Sequence, residues 1–213
     1  MKNHKSRRFL IAITGSPAAG KSYFSNKLYL RILDTFTSLD VKLVEVNDLV
    51  NKYNSYDGLD EFGSKLVDIN NLKKIIKQVI ENLDGVVILV GHLLADIKLP
   101  YDIVIVKREH LNKLEARMIK RKYQKGKIKE NLISEALDYC GENIEKTNCL
   151  LEVRSNKDIE QSIDFIICQI SIKFKISSDI DCSKVLESYK NASKFDEMNE
   201  LQDMITSGNP YKF

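Results

Sequence analysis

The chain has 213 residues, 30% of them charged and 43% hydrophobic, with a formal net charge of +3. That length suits one α/β domain, or one domain with an appendage, and so small a net charge argues for no particular partner. The absence of any run of eighteen apolar residues excludes a membrane-spanning helix, and the strand after the opening MKNHKSRR is too short for a signal h-region, so a soluble, cytoplasmic protein without membrane contact is expected. The basic opening reads as a frayed, solvated terminus. Cys140, Cys149, Cys168 and Cys182 form no C-x-x-C pair and no Cys/His metal spacing, and read as reduced thiols.

In chain order, residues 9–14 (FLIAIT) are one buried strand. Gly15, four residues, then Gly20, Lys21 and Ser22 fit G-x-x-x-x-G-K-[ST]. Phe24, Leu28, Ile32 and Phe36 follow at four-residue steps, so a helix begins at the motif. Strand, glycine-bounded loop and helix form a phosphate cradle. Gly15 lets the chain leave the strand in a tight turn, successive N–H groups wrap a phosphate, and the helix N-terminus adds partial positive charge. Lys21 reaches the β/γ-phosphates, and the Ser22 hydroxyl is placed to ligate Mg²⁺.

Residues 41–46 (VKLVEV) are a second strand. A polar segment follows to residue 68, carrying Asp48, Lys52, Asp57, Gly58, Asp60 and Gly63, and reads as an acceptor flap over about residues 45–68. An acceptor phosphate there would want an arginine. None lies between Arg31 and Arg108, which leaves Lys52, with Lys65 behind it. Residues 70–83 are an amphipathic helix with Leu72, Ile75, Ile76, Val79, Ile80 and Leu83 on one face. Residues 86–90 (VVILV) are an all-apolar strand buried on both sides of a parallel sheet, and His92 lies just past it, at the edge where ligands bind.

Residues 103–106 are a fourth strand. From Lys107 to Glu130 there are ten Lys or Arg against three Glu. Arg117 and Arg121, four apart, share a helix face and read as a mobile cationic lid over about residues 117–127, hinged at Gly126. Helix resumes from residue 128 to about 146, residues 149–153 are a fifth strand, and a last core helix runs to about 173. This alternation implies a parallel sheet with right-handed crossovers. Residues 175–213 form an appendage, with short helices expected at 182–189 and 195–205.

Taken together these residues resemble the adenylate kinase isoenzyme 6 family: the coilin-interacting nuclear ATPase type and the archaeal "putative adenylate kinases". The P-loop reads Gly15-Ser16-Pro17-Ala18-Ala19-Gly20-Lys21-Ser22-Tyr23. Val46-Asn47-Asp48-Leu49, Tyr56-Asp57-Gly58-Leu59-Asp60-Glu61 and Val67-Asp68 match the acceptor stretch. Val90-Gly91-His92 stands at the family's acid-x-His, Leu114 to Tyr123 at its lid, Lys127-Ile128-Lys129-Glu130-Asn131 just after it, and Ser155-Asn156-Lys157 at the loop bordering adenine. The likeness covers about residues 9–173.

The resemblance implies a P-loop NTPase fold of nucleoside monophosphate kinase type, a three-layer sandwich with a five-stranded parallel sheet at residues 1–174, plus the C-terminal helical appendage. It implies ATP with Mg²⁺, broad-specificity phosphoryl transfer to a nucleoside monophosphate, and ATPase activity. It also implies a role in small ribosomal subunit maturation, through a small-subunit protein of the S11 class and pre-ribosomal RNA. Carried over, Gly15, Ala18, Ala19, Gly20, Lys21, Ser22, Tyr23, Arg121, Asn156 and Lys157 hold ATP, with Ser22 on the metal. Lys21, Arg117, Arg121 and His92 are the catalytic set, and Asp48, Lys52, Asp57, Gly58 and Asp60 face the acceptor.

Four departures carry consequences. Ala18 replaces the loop's middle glycine, which a negative φ would accommodate. Val90 replaces the acid, leaving Asp48, Asp60 or Asp68 to supply it. Asn51 stands where some members have an acceptor arginine, and Lys122 replaces the lid glycine. The alternative reading is an ATP-gated ribosome assembly factor with ATPase activity and little nucleotide kinase activity.

Overall fold

A computed structural model describes residues 8–144, 149–154 and 156–189. Five strands, β1 (Arg8–Thr14), β2 (Val41–Glu45), β5 (Gly85–Val90), β6 (Ile103–Lys107) and β7 (Leu150–Val153), form one sheet in the order β2-β5-β1-β6-β7. Every pairing in it is parallel. Period-two alternation divides the strand residues between two apolar layers. Phe9, Ile11 and Ile13 of β1, with Val86, Ile88 and Val90 of β5, pack against α1 (Lys21–Thr35) and α7 (Asn156–Phe174). Leu10, Ala12, Val87 and Leu89 face the other way, onto α2 (Val46–Lys52) and α3 (Ile69–Glu81). The expected parallel-sheet, P-loop-type sandwich is therefore present, and β1 at its centre delivers the glycine loop to the sheet's C-terminal edge.

The polar segment after β2 is more ordered than its composition suggests. It holds α2 and a hairpin of β3 (Tyr56–Leu59) and β4 (Lys65–Val67). Its strands are three and four residues long and half exposed, so no apolar run announces them. Asp68 caps α3 by accepting from the N–H groups of Asn70 and Asn71.

The basic segment also differs from expectation. α4 (Leu111–Lys120) ends before the expected hinge at Gly126, and α5 (Lys125–Ala136) already contains that glycine. The break is at residues 121–124, where Lys122, at φ 60°, takes the left-handed conformation a glycine would supply. The helix expected to run from 128 to about 146 stops at Ala136. Asp138, at φ 54°, turns the chain into α6 (Tyr139–Asn143).

The appendage helix expected at 182–189 is present as α8 (Cys182–Tyr189). The reading of four reduced thiols is corrected: Cys168 on α7 and Cys182 on α8 form a disulfide across 14 residues, while Cys140 and Cys149 remain thiols. Pairing of this kind follows the path of the chain and leaves no spacing signature. The Tyr189 hydroxyl donates to Ser162 Oγ, and Arg31 on α1 pairs with Asp179, so the described part of the appendage is fastened to the α1/α7 layer. The helix expected at 195–205, the basic opening at 1–7 and Ser155 lie outside the described residues. Among the described residues no helix is long and apolar enough to cross a membrane.

Candidate nucleotide-binding site

The loop from Gly15 to Gly20 leaves β1 between β6 and the start of α1. Gly15 sits at φ 130°, and a Cβ there would overlap the Lys107 carbonyl oxygen at the end of β6. A side chain is excluded on both counts. Ala18 takes φ 68°, so the negative φ expected for it is corrected. Left-handed alanine costs roughly 1–2 kcal/mol. A loop whose amides must converge on one point alternates the hand of its residues, which explains the conformation. Gly20, at φ 97°, opens α1 without a side-chain cap.

The Lys21 ammonium folds back over the loop, donating to the carbonyl oxygens of Gly15 at 2.7 Å and Ser16 at 2.9 Å. Burial lowers its pKa to about 8, opposed by the negative charges of Glu135 and Glu45. An anion in the cradle would replace those carbonyls as its partner.

A cavity of about 310 Å³ opens beside the loop, at the small end of ligand pockets at ~300–1,000 Å³. Ala18, Ala19, Gly20 and Tyr23 form one wall, and Arg117 and Arg121 of α4 form a second. Lys107, Glu109, Arg154, Asn156 and Ile159, from the ends of β6 and β7 and the start of α7, complete it. Arg117 bridges the walls: Nη1 donates to the Ala18 carbonyl at 3.1 Å, and Nη2 pairs with Glu109 at 2.7 Å. Four of the eleven lining residues are cations and one is a carboxylate, a field suited to a polyphosphate. Lys107 is almost wholly buried, and its ammonium donates to the carbonyl oxygens of Arg108 at 2.6 Å and Arg154 at 3.0 Å. That ties β6 to the loop before α7, with burial lowering its pKa.

The remaining candidate residues distribute as follows. Ser22 stands in the first turn of α1, and the Glu45 carboxylate at the end of β2 lies near it and Lys21. His92 opens a 3₁₀ turn (His92–Asp96) behind the loop, where Thr14 Oγ1 donates to its carbonyl. Burial, with the positive charges of Lys21 and Lys127, lowers its pKa to about 4, so its imidazole is neutral at pH 7. Asp48 and Lys52 lie on α2, and Asp57 and Gly58 on β3.

Asp60 does structural work. Its carboxylate accepts from the N–H groups of Ser64 at 2.7 Å and Phe62 at 2.9 Å, and pairs with Lys127 at 3.2 Å. Those contacts hold its pKa below the usual carboxylate range. The flap thus meets the lid segment: the Lys127 ammonium also lies over the Phe62 ring, and a Cβ on Gly126 would come within 2.5 Å of that ring. Lys157, in the first turn of α7, is absent from the cavity wall, whereas its neighbour Asn156 is part of it.

Sequence reasoning missed the layer behind the loop. Glu135 of α5 is 1% exposed, accepts from the Ser16 hydroxyl, and faces Arg108 at 4.0 Å. Arg108, also 1% exposed, pairs in addition with Asp138, and with Glu152 at 3.7 Å. Burial pushes the Glu135 carboxyl up, while Ser16 and Arg108 pull it back. A single acidic residue among a helix's polar positions carries no sequence signal of this role.

Residues 11–138 match the AAA domain family. The chain is 32% identical over 181 residues to a Methanocaldococcus jannaschii protein named "Putative adenylate kinase", covering 84% of this chain and 96% of that one. It is 34% identical over 170 residues to a Methanococcus maripaludis protein of the same name, covering 77% and 90%. Among solved structures, Chaetomium thermophilum Kti12 in complex with ADP-AlF3 superposes with a TM-score of 0.50 at 14% identity, covering 76% of this chain and 98% of that one. TT1252 from Thermus thermophilus does so with a TM-score of 0.50 at 11% identity, covering 76% and 97%. At those identities the two solved structures speak for the fold alone.

Proposed function

The chain belongs to the AAA domain family, and from that premise we propose that it is an ATP-dependent nucleoside monophosphate kinase of broad specificity, with ATPase activity as well. One observation supports this above the others: the glycine loop and the α4 arginines Arg117 and Arg121 line a single cavity, while the Lys21 ammonium folds over the same loop. The adenylate kinase name of the two archaeal relatives agrees with it.

Phosphoryl transfer asks the protein chiefly for position and compensating charge. The loop amides and α1 N-terminus hold the donor β-phosphate. Lys21 releases its two carbonyls and pairs with the β/γ oxygens. Arg117 and Arg121 stand over the γ-phosphate from α4, and Asn156 and Ile159 border the base. The flap presents Asp48, Lys52, Asp57 and Gly58 to the acceptor. Ser22, with the Glu45 carboxylate near it, would supply hard oxygens of the kind that suit Mg²⁺, and the ion would contribute compensating positive charge. A coupled assay with AMP, CMP and dAMP tests the reading: acceptor-dependent ADP formation is expected, and ATP hydrolysis without it would refute the kinase.

We also keep the assembly-factor reading, in which ATP gates binding to an S11-class small-subunit protein on pre-ribosomal RNA. The flap favours it, because Lys65 is spent on Asn51 and the Tyr56 ring, and there is no flap arginine. His92, neutral and close to Lys21, would then accept a hydrogen bond from the attacking water. Pull-down of that ribosomal protein, abolished by Lys21→Ala, is the expected result.

A further inference from the structure

The C-terminal edge of the sheet offers an acid that the proposed mechanism has not yet used. Glu45 is the last residue of β2, and its register partner on the neighbouring strand is Val90. Val41 and Leu43, the alternate residues before it, lie in the α1/α7 layer with Val86 and Ile88, their own partners in the register. Val44 packs into the opposite layer. Alternation therefore sends Glu45 to the α1 side, level with Val90 and one strand over. Val90 is apolar and has no oxygen to offer, whereas the Glu45 carboxylate lies near Ser22 and has Lys21 as its charged neighbour.

The other acids nearby have different work. Asp60 closes the hairpin turn and holds Lys127. Asp68 caps α3. Glu109 pairs with Arg117 and Lys113, and Glu135 with Ser16 and Arg108. Asp48, in the first turn of α2, borders Glu45. Asp60 and Asp68 are thus committed to the hairpin turn and the α3 cap, while Asp48 stands beside Glu45 as its competitor.

We infer that Glu45 is the carboxylate that organises the Mg²⁺ shell beside Ser22, in place of an acid at Val90. The inference rests on the MgATP reading of the loop. Mg²⁺ takes oxygen donors and keeps several waters, so a carboxylate next to the hydroxyl ligand orients those waters without binding the phosphates. Its loss should weaken metal binding and leave metal-free nucleotide binding intact.

The test uses the full chain, ADP and Mn²⁺. ADP affinity is measured by calorimetry in EDTA, and Mn²⁺ affinity of the protein–ADP complex by water proton relaxation. Glu45→Gln is expected to bind metal-free ADP no more weakly than the parent, because a negative charge near the phosphates is gone. Its Mn²⁺ affinity should fall by about 10–100-fold, the usual effect of losing an outer partner. Glu45→Asp should recover part of that loss, and Asp48→Asn should stay within about threefold of the parent. Mn²⁺ affinity unchanged in Glu45→Gln, or lost in Asp48→Asn instead, overturns the assignment. A parent that binds no ADP in EDTA overturns the nucleotide-site reading itself, and with it this inference.

Discussion

Neutralising Glu135 gives the sharpest test of how the phosphate loop is held. Its carboxylate and the Arg108 guanidinium are 4.0 Å apart, both essentially without solvent. At an effective dielectric constant near 20, that separation corresponds to about 4 kcal/mol. Removing one partner of a buried pair costs roughly 3–5 kcal/mol, since the other is left uncompensated. Asp138 and Glu152 keep some hold on Arg108, so Glu135→Gln is expected to lose about 3 kcal/mol. For a chain of this size each kcal/mol moves Tm by about 2–4 °C, so the midpoint should fall by about 6–12 °C. Calorimetric and urea unfolding read this directly. Gln retains an oxygen for the Ser16 hydroxyl, whereas Glu135→Ala does not, so only the alanine variant should also weaken ADP binding. The double change Arg108→Met with Glu135→Leu should recover most of the stability, because a buried pair replaced by apolar side chains is close to neutral. A loss under about 1 kcal/mol in Glu135→Gln would refute the reasoning.

Lys21→Met should leave the fold intact and weaken ADP binding by at least about tenfold, the worth of a charge-assisted hydrogen bond, measured by calorimetry. Gly15→Ala should cost about 3 kcal/mol or more, because strain at its φ of 130° adds to overlap with the Lys107 carbonyl; a melting curve like the parent's would contradict this. His92 has a folded pKa of about 4, below its unfolded value, so the unfolded chain binds the extra proton. Stability supplied by that shift is complete above about pH 6.5 and is lost as pH falls toward 4, up to about 3 kcal/mol, and His92→Gln should flatten this acid limb. Without reductant, the denatured chain should show two titratable thiols, Cys140 and Cys149, and four after reduction, with reduction costing about 3 kcal/mol for a loop of this length. Four thiols in both conditions would remove the disulfide.

What could be read from the sequence was whatever a period or a motif encodes. The G-x-x-x-x-G-K-S spacing located the loop between a strand and a helix, the unbroken VVILV announced a strand covered on both faces, and the apolar face of residues 70–83 matched α3. Three kinds of information were out of reach. The hairpin at 56–67 pairs short, half-exposed strands whose register is fixed by Asp60 in the turn instead of by an apolar face. Left-handed Ala18 and Lys122 look like ordinary residues, and Gly126, which suggested a hinge, is a helical position kept bare by the Phe62 ring. The side chains that join at a distance carry no local pattern either: Glu135 with Ser16 and Arg108, Cys168 with Cys182. The candidate site was legible where backbone geometry makes it and hidden where the topology does.

The Phe62 ring resting on Gly126, with Lys127 clasping Asp60, has a kinetic consequence. Two segments far apart in sequence share one clasp, so movement of either requires the same few contacts to part. Under the proposed kinase reading, arrival and departure of the two nucleotides would then be events with a common gatekeeper, and whichever leaves last would set the tempo of turnover.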